Sequence, residues 1–407
     1  MNDPNIHPFI KRVEKLREDA EGTYHKILQD RTLNLTNENH VRVLVEVVTQ
    51  FQDYTFVLSH KTDLYQLVFY RFASKFSEAE HAQFVTPLPI IDFLVTVVNP
   101  RNGETVIDPT VGIADFLSIS ICQFDSKLND GNIFGIDIDE QMIMLATLNM
   151  LLNGDGNAKL KAKPGFGSIL SKFDTTGELL DLVPSINVSG NWDKRVDNKK
   201  IKKFDVVLTN PPFGEDRAYR IESQQHKEVI ECFELWHTAR SGDSIDLGLV
   251  FLENAYRILD TNGRVGIVLS NSIASVDKYQ KAREWLLSNM RVVAIFDMPP
   301  NVFAETGVPT TIIVAYKPEK KELEKLKKNN YKIFLRDIHK VGYEVRTSKR
   351  VKYFADIFKI NYETFEIEID KEGRAIKDEE FSSTISDFRK WCRTQEKVLQ
   401  DLFVNTK

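Results

Sequence analysis

The feature that most constrains this chain is an alternation of short apolar runs with longer helical patterns, starting near residue 105. Runs rich in β-branched and aromatic residues indicate strands, whereas apolar residues three or four apart indicate helices. Such alternation is typical of a parallel sheet, because each parallel connection needs a crossover. We therefore predict an α/β fold with a doubly wound, mostly parallel sheet. The expected strands are 105–107, 133–136, 159–162, 204–209, 265–269, 292–296 and 311–315, and the expected helices are 116–124, 142–152 and 247–259, with Asn262-Gly263 as the last helix's stop signal.

Helical patterns flank this α/β region on both sides. Residues 1–80 carry amphipathic patterns and are predicted to form a helical N-terminal domain, followed by the α/β domain at 81–318. Residues 319–407 are predicted to form a small helical extension, and the charged stretch 317–330 at its start is predicted to be an exposed helix or a hinge. An apolar stripe at helical spacing ends the extension and is either a partner-docking surface or part of the chain's own core. Its members are Ile385, Phe388, Trp391, Val398 and Leu402.

Composition limits where the chain works and what it binds. The formal net charge is −5, whereas proteins that hold duplex DNA unaided usually carry a basic excess. A DNA-binding role would therefore need a local basic face or a partner. No apolar stretch is long enough to span a bilayer, and the first residues lack the apolar region of a signal peptide. The cysteines, Cys122, Cys232 and Cys392, form no CxxC pair and no metal-binding spacing, which predicts a reducing cytoplasm and no metal.

The sharpest chemical signal is Asn210-Pro211-Pro212-Phe213, directly after the apolar strand 204–209. Ligands of open α/β sheets bind at the carboxyl ends of strands, so this tetrapeptide lies where chemistry is expected. The Asn210 side chain and the Pro211 carbonyl can accept both hydrogens of an exocyclic amine, and two prolines hold them in place. Phe213 offers a face on which an extruded base can stack. A proline-rich turn without chemistry is the alternative, which the order Asn-Pro-Pro-aromatic disfavours.

Two further signals follow the first and second expected strands. Residues 108–117 join a strand to a helix, and Gly112 and Ala114 allow close approach of a ligand to the backbone. Helix capping by Asp108 or Thr110 would explain the same loop. An acidic residue ends the second strand, where ribose hydroxyls are bound in nucleotide folds. We assign that role to Asp137, because Asp139 can equally cap the following helix.

A basic run precedes the strand 204–209. It is either a phosphate-contacting loop at the mouth of the site or a solvated insertion. Its members are Lys194, Arg195, Lys199, Lys200, Lys202 and Lys203.

Together these motifs resemble the N6-adenine DNA methyltransferases, and more closely the modification subunit of type I restriction enzymes. The similarity runs from about residue 64 to residue 318 and includes a late element at 299–311. The resemblance implies an S-adenosylmethionine-dependent methyltransferase fold and transfer of a methyl group from S-adenosylmethionine to adenine N6 in double-stranded DNA. The implied catalytic residues are Asn210, Pro211, Pro212 and Phe213. The implied cofactor-binding residues are Gln83, Phe84, Thr86, Pro87, Asp108, Thr110, Gly112, Ile113, Ala114, Asp115, Asp137 and Ile138.

The chain departs from the family pattern at two places. Gly112-Ile113-Ala114 stands where many methyltransferases carry Gly-x-Gly, although alanine occurs there in type I relatives. Ser168 stands where relatives often have an acidic residue that contacts the cofactor's adenine amine, and Asp174 is the candidate substitute.

Length and charge suggest how DNA is recognised. About 90 residues follow Lys317, fewer than an ordinary domain. We therefore expect a separate specificity subunit to read the target sequence, with a restriction subunit as a further candidate partner. Two alternatives stay open at this point: a glutamine-N5 protein methyltransferase, which uses a related tetrapeptide, and a catalytically silent DNA-binding scaffold.

Overall fold

The computed structural model describes residues 6–28, 34–53, 86–123, 132–153, 157–212, 217–303, 307–348 and 351–404. The helices are α1 (Ile6–Leu28), α2 (Glu38–Phe51), α3 (Leu88–Val98), α4 (Asp115–Gln123), α5 (Glu140–Leu152), α6 (Trp192–Arg195), α7 (Gln224–Ile230), α8 (Glu234–Ala239), α9 (Leu247–Ile258), α10 (Asn271–Ser275), α11 (Gln280–Asn289), α12 (Lys320–Lys328), α13 (Phe381–Cys392) and α14 (Lys397–Phe403).

The strands are β1 (Val106–Asp108), β2 (Ile133–Asp137), β3 (Lys159–Ala162), β4 (Ser171–Phe173), β5 (Leu179–Asp181), β6 (Phe204–Thr209), β7 (Ala218–Arg220), β8 (Ser244–Asp246), β9 (Leu259–Ser270), β10 (Arg291–Asp297), β11 (Thr310–Tyr316), β12 (Phe334–Asp337), β13 (Tyr343–Ser348) and β14 (Val351–Asp356). Short 3₁₀ turns cover Gly167–Ile169 and Asp277–Tyr279.

Eight of these strands form one central sheet in the order β12-β10-β11-β9-β6-β1-β2-β3. Strands β3, β2, β1, β6 and β9 pair in parallel, and β11 lies antiparallel between β9 and β10. The prediction of a doubly wound, mostly parallel sheet is therefore confirmed. Because β1, β2 and β6 are parallel, the loops that follow them meet at one edge of the sheet.

Buried helices cover both faces of the sheet. On one face α3, α4, α13 and α14 contribute to an apolar cluster, and on the other face α9 and α11 contribute to a second. The approach of α3 is close at Gly266 in β9, where an added Cβ would lie 2.6 Å from Val98 and 2.7 Å from Leu94. A side chain at this position would push α3 away from the sheet.

The helix 247–259 ends differently from the prediction. Helix α9 stops at Ile258 and β9 begins at the next residue, so Asn262-Gly263 lies inside the strand. Asn262 has a positive φ of 62°, and its N–H donates to the Lys317 carbonyl at 2.7 Å. The Asn-Gly signal therefore marks the part of β9 where its pairing with β6 shifts register, between Leu259 and Arg264. Asparagine tolerates the left-handed conformation in a strand as well as after a helix.

The N-terminal region is helical where it is described. Both α1 and α2 fall within the segment predicted as a helical domain. Its remaining residues, 1–5, 29–33 and 54–80, lie outside the described part of the chain.

The C-terminal region contains more β structure than predicted. Strand β12 pairs in parallel with β10, so the central sheet continues past residue 318. The hairpin β13–β14 follows. The expected final helix is two helices, α13 and α14, which both pack against α3. Phe388 is 0% exposed among Phe296, Phe334, Trp391 and Phe403, so this member of the apolar stripe packs in the chain's own core. The other members are half-buried against the same apolar cluster; they are Ile385, Trp391, Val398 and Leu402.

Within the described residues, no helix combines the length and apolarity needed to cross a membrane. The same residues contain no group of three or more histidine, cysteine or acidic side chains arranged to hold a metal ion.

Candidate functional site

Asn210 follows β6 at the carboxyl edge of the central sheet. Its side-chain Nδ2 donates a hydrogen bond to Oγ1 of Thr86 at 2.8 Å, across 124 residues of sequence. The other amide atom, Oδ1, is buried and has no hydrogen-bond partner among the described residues. A buried acceptor without a donor costs free energy in the free protein. Asn210 Oδ1 is therefore available to accept a hydrogen bond from a bound molecule.

Pro211 and Pro212 follow Asn210 at the end of the described part of this loop. Pro211 is buried and Pro212 is half-buried. Phe213, the last residue of the predicted tetrapeptide, lies outside the described residues, as do Gln83 and Phe84 of the predicted cofactor segment. Thr86 and Pro87 are described, and they stand directly before α3.

The loop after β1 is joined to the loop after β6 through two threonines. Oδ1 of the buried Asp108 accepts from the backbone N–H of Thr110 at 2.9 Å. The hydroxyls of Thr110 and Thr209 lie 2.7 Å apart, and Thr209 is the last residue of β6. Thr209 was not predicted as a site residue, because an apolar strand gives no sign that its last hydroxyl points toward a neighbouring loop.

Asp137 at the end of β2 joins the same cluster. Its Oδ2 accepts from the Gly112 N–H at 2.8 Å, and its Oδ1 accepts from the Asp139 N–H at 3.0 Å. Burial raises the pKa of Asp137, and the backbone donors act in the opposite direction. Each carboxylate oxygen keeps a second lone pair, so Asp137 can still accept from ribose hydroxyls.

Asp137 and Asp139 differ in what their carboxylates contact. Asp139 is the N-cap of α5, and its side chain accepts from the Gln141 N–H at 2.7 Å. Asp139 therefore has a capping role, whereas Asp137 faces the loop after β1. The intervening Ile138 is 45% exposed at this edge, which leaves its side chain accessible to a ligand.

The turn into α4 has an unusual backbone. Gly112 has a φ of 49° and Ala114 a φ of 66°. A side chain costs about 1–2 kcal/mol in this left-handed conformation, so Ala114 is under local strain. Apart from its two chain neighbours, no residue in the described ranges has an atom within 4 Å of the position a Cβ of Gly112 would take. The turn therefore faces open space, as a ligand-binding turn must.

Asp108 and Asp115 are buried carboxyls at the two ends of this turn. Burial raises the pKa of each to about 7. Asn149 from α5 donates to Asp115 Oδ1 at 3.2 Å and to the Ile113 carbonyl at 2.8 Å, which steadies the turn. Asn149 lies within an ordinary helical pattern, and nothing in that pattern indicates a contact with the loop after β1.

Ser168 is placed beside the loop that follows β2. An added Cβ at the preceding residue, Gly167, would lie 3.2 Å from Ile138. Ser168 itself is 1% exposed, and its hydroxyl accepts from Nδ2 of Asn254 in α9 at 3.1 Å. The candidate substitute Asp174 uses Oδ1 to accept from the Thr176 hydroxyl and from the Glu178 N–H. Asp174 therefore stabilises its own turn between β4 and β5.

The end of the basic run that precedes β6, Lys202 and Lys203, lies away from this edge, so these two lysines are not at the mouth of the site. Lys203 immediately precedes β6, whereas Asn210 follows it, so the length of the strand separates them. The Lys203 ammonium donates to the Arg257 carbonyl at 2.6 Å, and Lys202 lies over the Phe134 ring. Part of the run therefore stabilises the fold at the opposite edge of the sheet.

Comparison with known proteins gives matches over most of the chain. A family model described as N-6 DNA Methylase matches residues 60–396. The methylase subunit of the type I restriction enzyme EcoEI from Escherichia coli is 24% identical over 67% of this chain and 50% of its own length. The corresponding EcoKI subunit, from Escherichia coli strain K12, is 22% identical over 75% of this chain and 54% of its own length. The chain thus spans about half the length of the curated relatives it matches.

A solved structure supports the fold. The type I restriction-modification methyltransferase subunit from Streptococcus thermophilus aligns with a TM-score of 0.56 at 17% identity. The alignment covers 95% of this chain and 72% of that one. At this level of identity the match shows that the two proteins share the methyltransferase fold.

Proposed function

This chain belongs to the N-6 DNA methylase family, and we propose that it transfers a methyl group from S-adenosylmethionine to adenine N6 in DNA. The observation that carries the proposal is Asn210, whose buried Oδ1 has no partner among the described residues and stands at the carboxyl edge of the sheet. The N–H group of a target amine can donate the hydrogen bond that Asn210 Oδ1 does not receive from the described residues.

The chemistry requires two acceptors close together. The lone pair of adenine N6 is delocalised into the ring, so the amine is a weak nucleophile. Asn210 Oδ1 and the Pro211 carbonyl accept its two hydrogens and favour a pyramidal nitrogen, whose lone pair is freer to attack. Because the prolines and the buried strand hold these acceptors in place beforehand, little reorganisation accompanies the reaction.

The residues around the turn after β1 fit S-adenosylmethionine, which supplies an electrophilic methyl group on a positively charged sulfur. We propose that Asp137 accepts from the ribose hydroxyls and that Gly112 allows close approach of the cofactor. The buried carboxyls of Asp108 and Asp115 suit a positively charged ligand, since a nearby positive charge favours their ionised form. We propose that the remaining predicted cofactor residues at this edge of the sheet within the described part of the chain line the same site; they are Pro87, Thr110, Ile113, Ala114 and Ile138.

We further propose that the chain acts as the modification subunit of a type I restriction-modification complex. The matched EcoEI and EcoKI proteins are methylase subunits of type I restriction enzymes. Double-stranded DNA and a specificity subunit are the proposed partners, and a restriction subunit is a further one. The family match from residue 60 to residue 396 favours this function over a glutamine-N5 protein methyltransferase.

Substitution of Asn210 by alanine tests the proposal. Asn210→Ala should leave the fold intact and lower turnover by about a hundred- to a thousand-fold, the loss typical of a preorganised acceptor or donor. Phe213→Ala should mainly weaken capture of the flipped base, since stacking contributes about 1–3 kcal/mol per base. The assay measures transfer of labelled methyl groups to duplex DNA in the presence of the specificity subunit.

The DNA substrate provides the control. An abasic position opposite the target lowers the cost of base extrusion and should partly rescue Phe213→Ala but not Asn210→Ala. Near-normal turnover of an Asn210→Ala protein that still binds S-adenosylmethionine would exclude the proposed mechanism.

A further inference from the structure

We infer that Thr86 is a positioning residue, which orients the Asn210 carboxamide so that its oxygen faces the target amine. The inference rests on the proposed function and assigns Thr86 a role different from the cofactor binding that the resemblance implies. It starts from one contact: Nδ2 of Asn210 donates to the Thr86 hydroxyl at 2.8 Å, while Oδ1 of the same amide is buried without a partner in the described part of the chain.

Thr86 is held rigidly enough to orient another side chain. It is 7% exposed and directly precedes Pro87, the N-cap of α3. The Pro87 carbonyl accepts from the backbone N–H groups of Ile90 at 2.9 Å and Ile91 at 3.1 Å. Because α3 packs into the core beneath β9, the position of the Thr86 hydroxyl is fixed by the fold.

The two ends of a carboxamide have opposite hydrogen-bonding properties, so its orientation decides whether Asn210 can act. If Nδ2 faced the target amine, two donors would oppose each other. If Oδ1 faces the amine, Nδ2 of the half-buried Asn210 needs an acceptor elsewhere, because a donor removed from water without a partner destabilises the arrangement. The Thr86 hydroxyl supplies that acceptor. The arrangement is thus preorganised for an incoming N–H donor before any substrate binds.

A positioning role and a cofactor-binding role of Thr86 predict different effects of its substitution on turnover and on cofactor affinity. Thr86→Val removes the hydroxyl while nearly keeping the side-chain shape, and should lower turnover about tenfold, the effect of losing one hydrogen bond of about 1.4 kcal/mol. The dissociation constant for S-adenosylmethionine, measured by calorimetry, should stay within about twofold. Thr86→Ser keeps the hydroxyl and should retain most of the turnover. Thr384→Val, at a buried threonine in α13, is the matched control for the substitution and should change neither quantity.

A double-mutant cycle separates positioning from a purely structural effect. In an Asn210→Ala background there is no amide to orient, so Thr86→Val should lower turnover no further. A structural effect on α3 would instead multiply the two losses and lower the melting temperature. If Thr86→Val fails to fold, Thr86→Ala gives the same comparison without a second methyl group to accommodate.

Turnover and cofactor affinity together distinguish a positioning role of Thr86 from a cofactor-binding role. Weaker S-adenosylmethionine binding by Thr86→Val, with normal turnover at saturating cofactor, would overturn the positioning role in favour of cofactor binding. Normal turnover and normal affinity together would also overturn it, provided that Asn210→Ala is inactive. If Asn210→Ala is itself active, the proposed function fails, and the positioning role fails with it.

Discussion

At the scale of single residues, the candidate site concentrates buried polar groups that a purely structural loop would avoid. Asp108 and Asp115 carry carboxyls with a pKa raised to about 7 by burial, and Ala114 occupies a left-handed backbone conformation. Strained backbone and perturbed pKa values cluster at functional sites, because the surrounding fold must compensate for them. These groups destabilise the unliganded protein, and a positively charged ligand would reverse part of that cost.

The raised pKa of Asp115 makes stability depend on pH. In the unfolded chain an aspartate has a pKa of about 3.9, so the folded state binds the proton more tightly. The resulting stabilisation is fully present below about pH 4 and is lost as pH rises to about 7. Asp115→Asn stays neutral at every pH and can still accept a hydrogen bond from Asn149. Between about pH 4 and pH 7 we therefore expect its free energy of unfolding to fall by on the order of 1–4 kcal/mol less than that of the unsubstituted chain.

Urea unfolding at pH 4.5 and pH 8 would measure this difference. Asp243→Asn, at an exposed carboxyl, is the control and should unfold like the original protein at both pH values. Equal pH dependence in Asp115→Asn and the unsubstituted chain would show that Asp115 is ionised in the folded state near its ordinary pKa.

At the scale of elements, the sequence predicted those parts of the fold that local pattern controls. The apolar strands of the central sheet lie within two residues of their predicted bounds, apart from β9, which begins six residues earlier than expected. The C-terminal strands β12, β13 and β14 were missed, because charged residues interrupt their apolar pattern and β12 lies at the edge of the sheet. An edge strand is less buried than a central strand, so fewer of its residues need to be apolar and its sequence pattern is harder to recognise.

Contacts within the site were beyond prediction for a different reason. The bonds of Thr86 with Asn210, of Thr110 with Thr209 and of Asn149 with Asp115 join residues 124, 99 and 34 positions apart. The sequence predicted that loops after parallel strands share an edge, but it does not say which hydroxyl meets which amide. That depends on strand register and on the docking of α3.

The C-terminal helices offer a test at this scale. Phe388 in α13 is fully buried against rings from β10, β12 and α14, so Phe388→Ala should lower the free energy of unfolding by about 3–5 kcal/mol. Lys390→Ala, at an exposed position of the same helix, should change it by less than about 0.5 kcal/mol. Denaturant unfolding measures both. A small effect of Phe388→Ala on stability, with loss of binding to the specificity subunit, would restore the docking interpretation of the stripe.

At the scale of the whole molecule, charge is the property that bears on DNA binding. The chain carries a formal charge of −5, and part of its densest basic run is used at the edge of the sheet away from Asn210. Affinity for duplex DNA comes largely from neutralising phosphates, so a chain with this balance should bind DNA weakly by itself. The proposed specificity subunit would supply both the missing phosphate contacts and the reading of base edges.

We therefore expect the isolated chain to methylate duplex DNA slowly and without sequence preference, even at saturating S-adenosylmethionine. Addition of the specificity subunit should raise the rate at one target sequence and should steepen the dependence of binding on salt, because each added phosphate contact contributes a slope of about −0.9 to the log–log plot. The measurement is methyl transfer to matched duplexes with and without that target, at several salt concentrations. The Asn210→Ala chain with the same partner is the control, since it should bind DNA with the same salt slope while transferring no methyl groups above background. Efficient methylation of one sequence by the isolated chain would contradict the proposal that the specificity subunit recognises the target, because the chain itself would then recognise it.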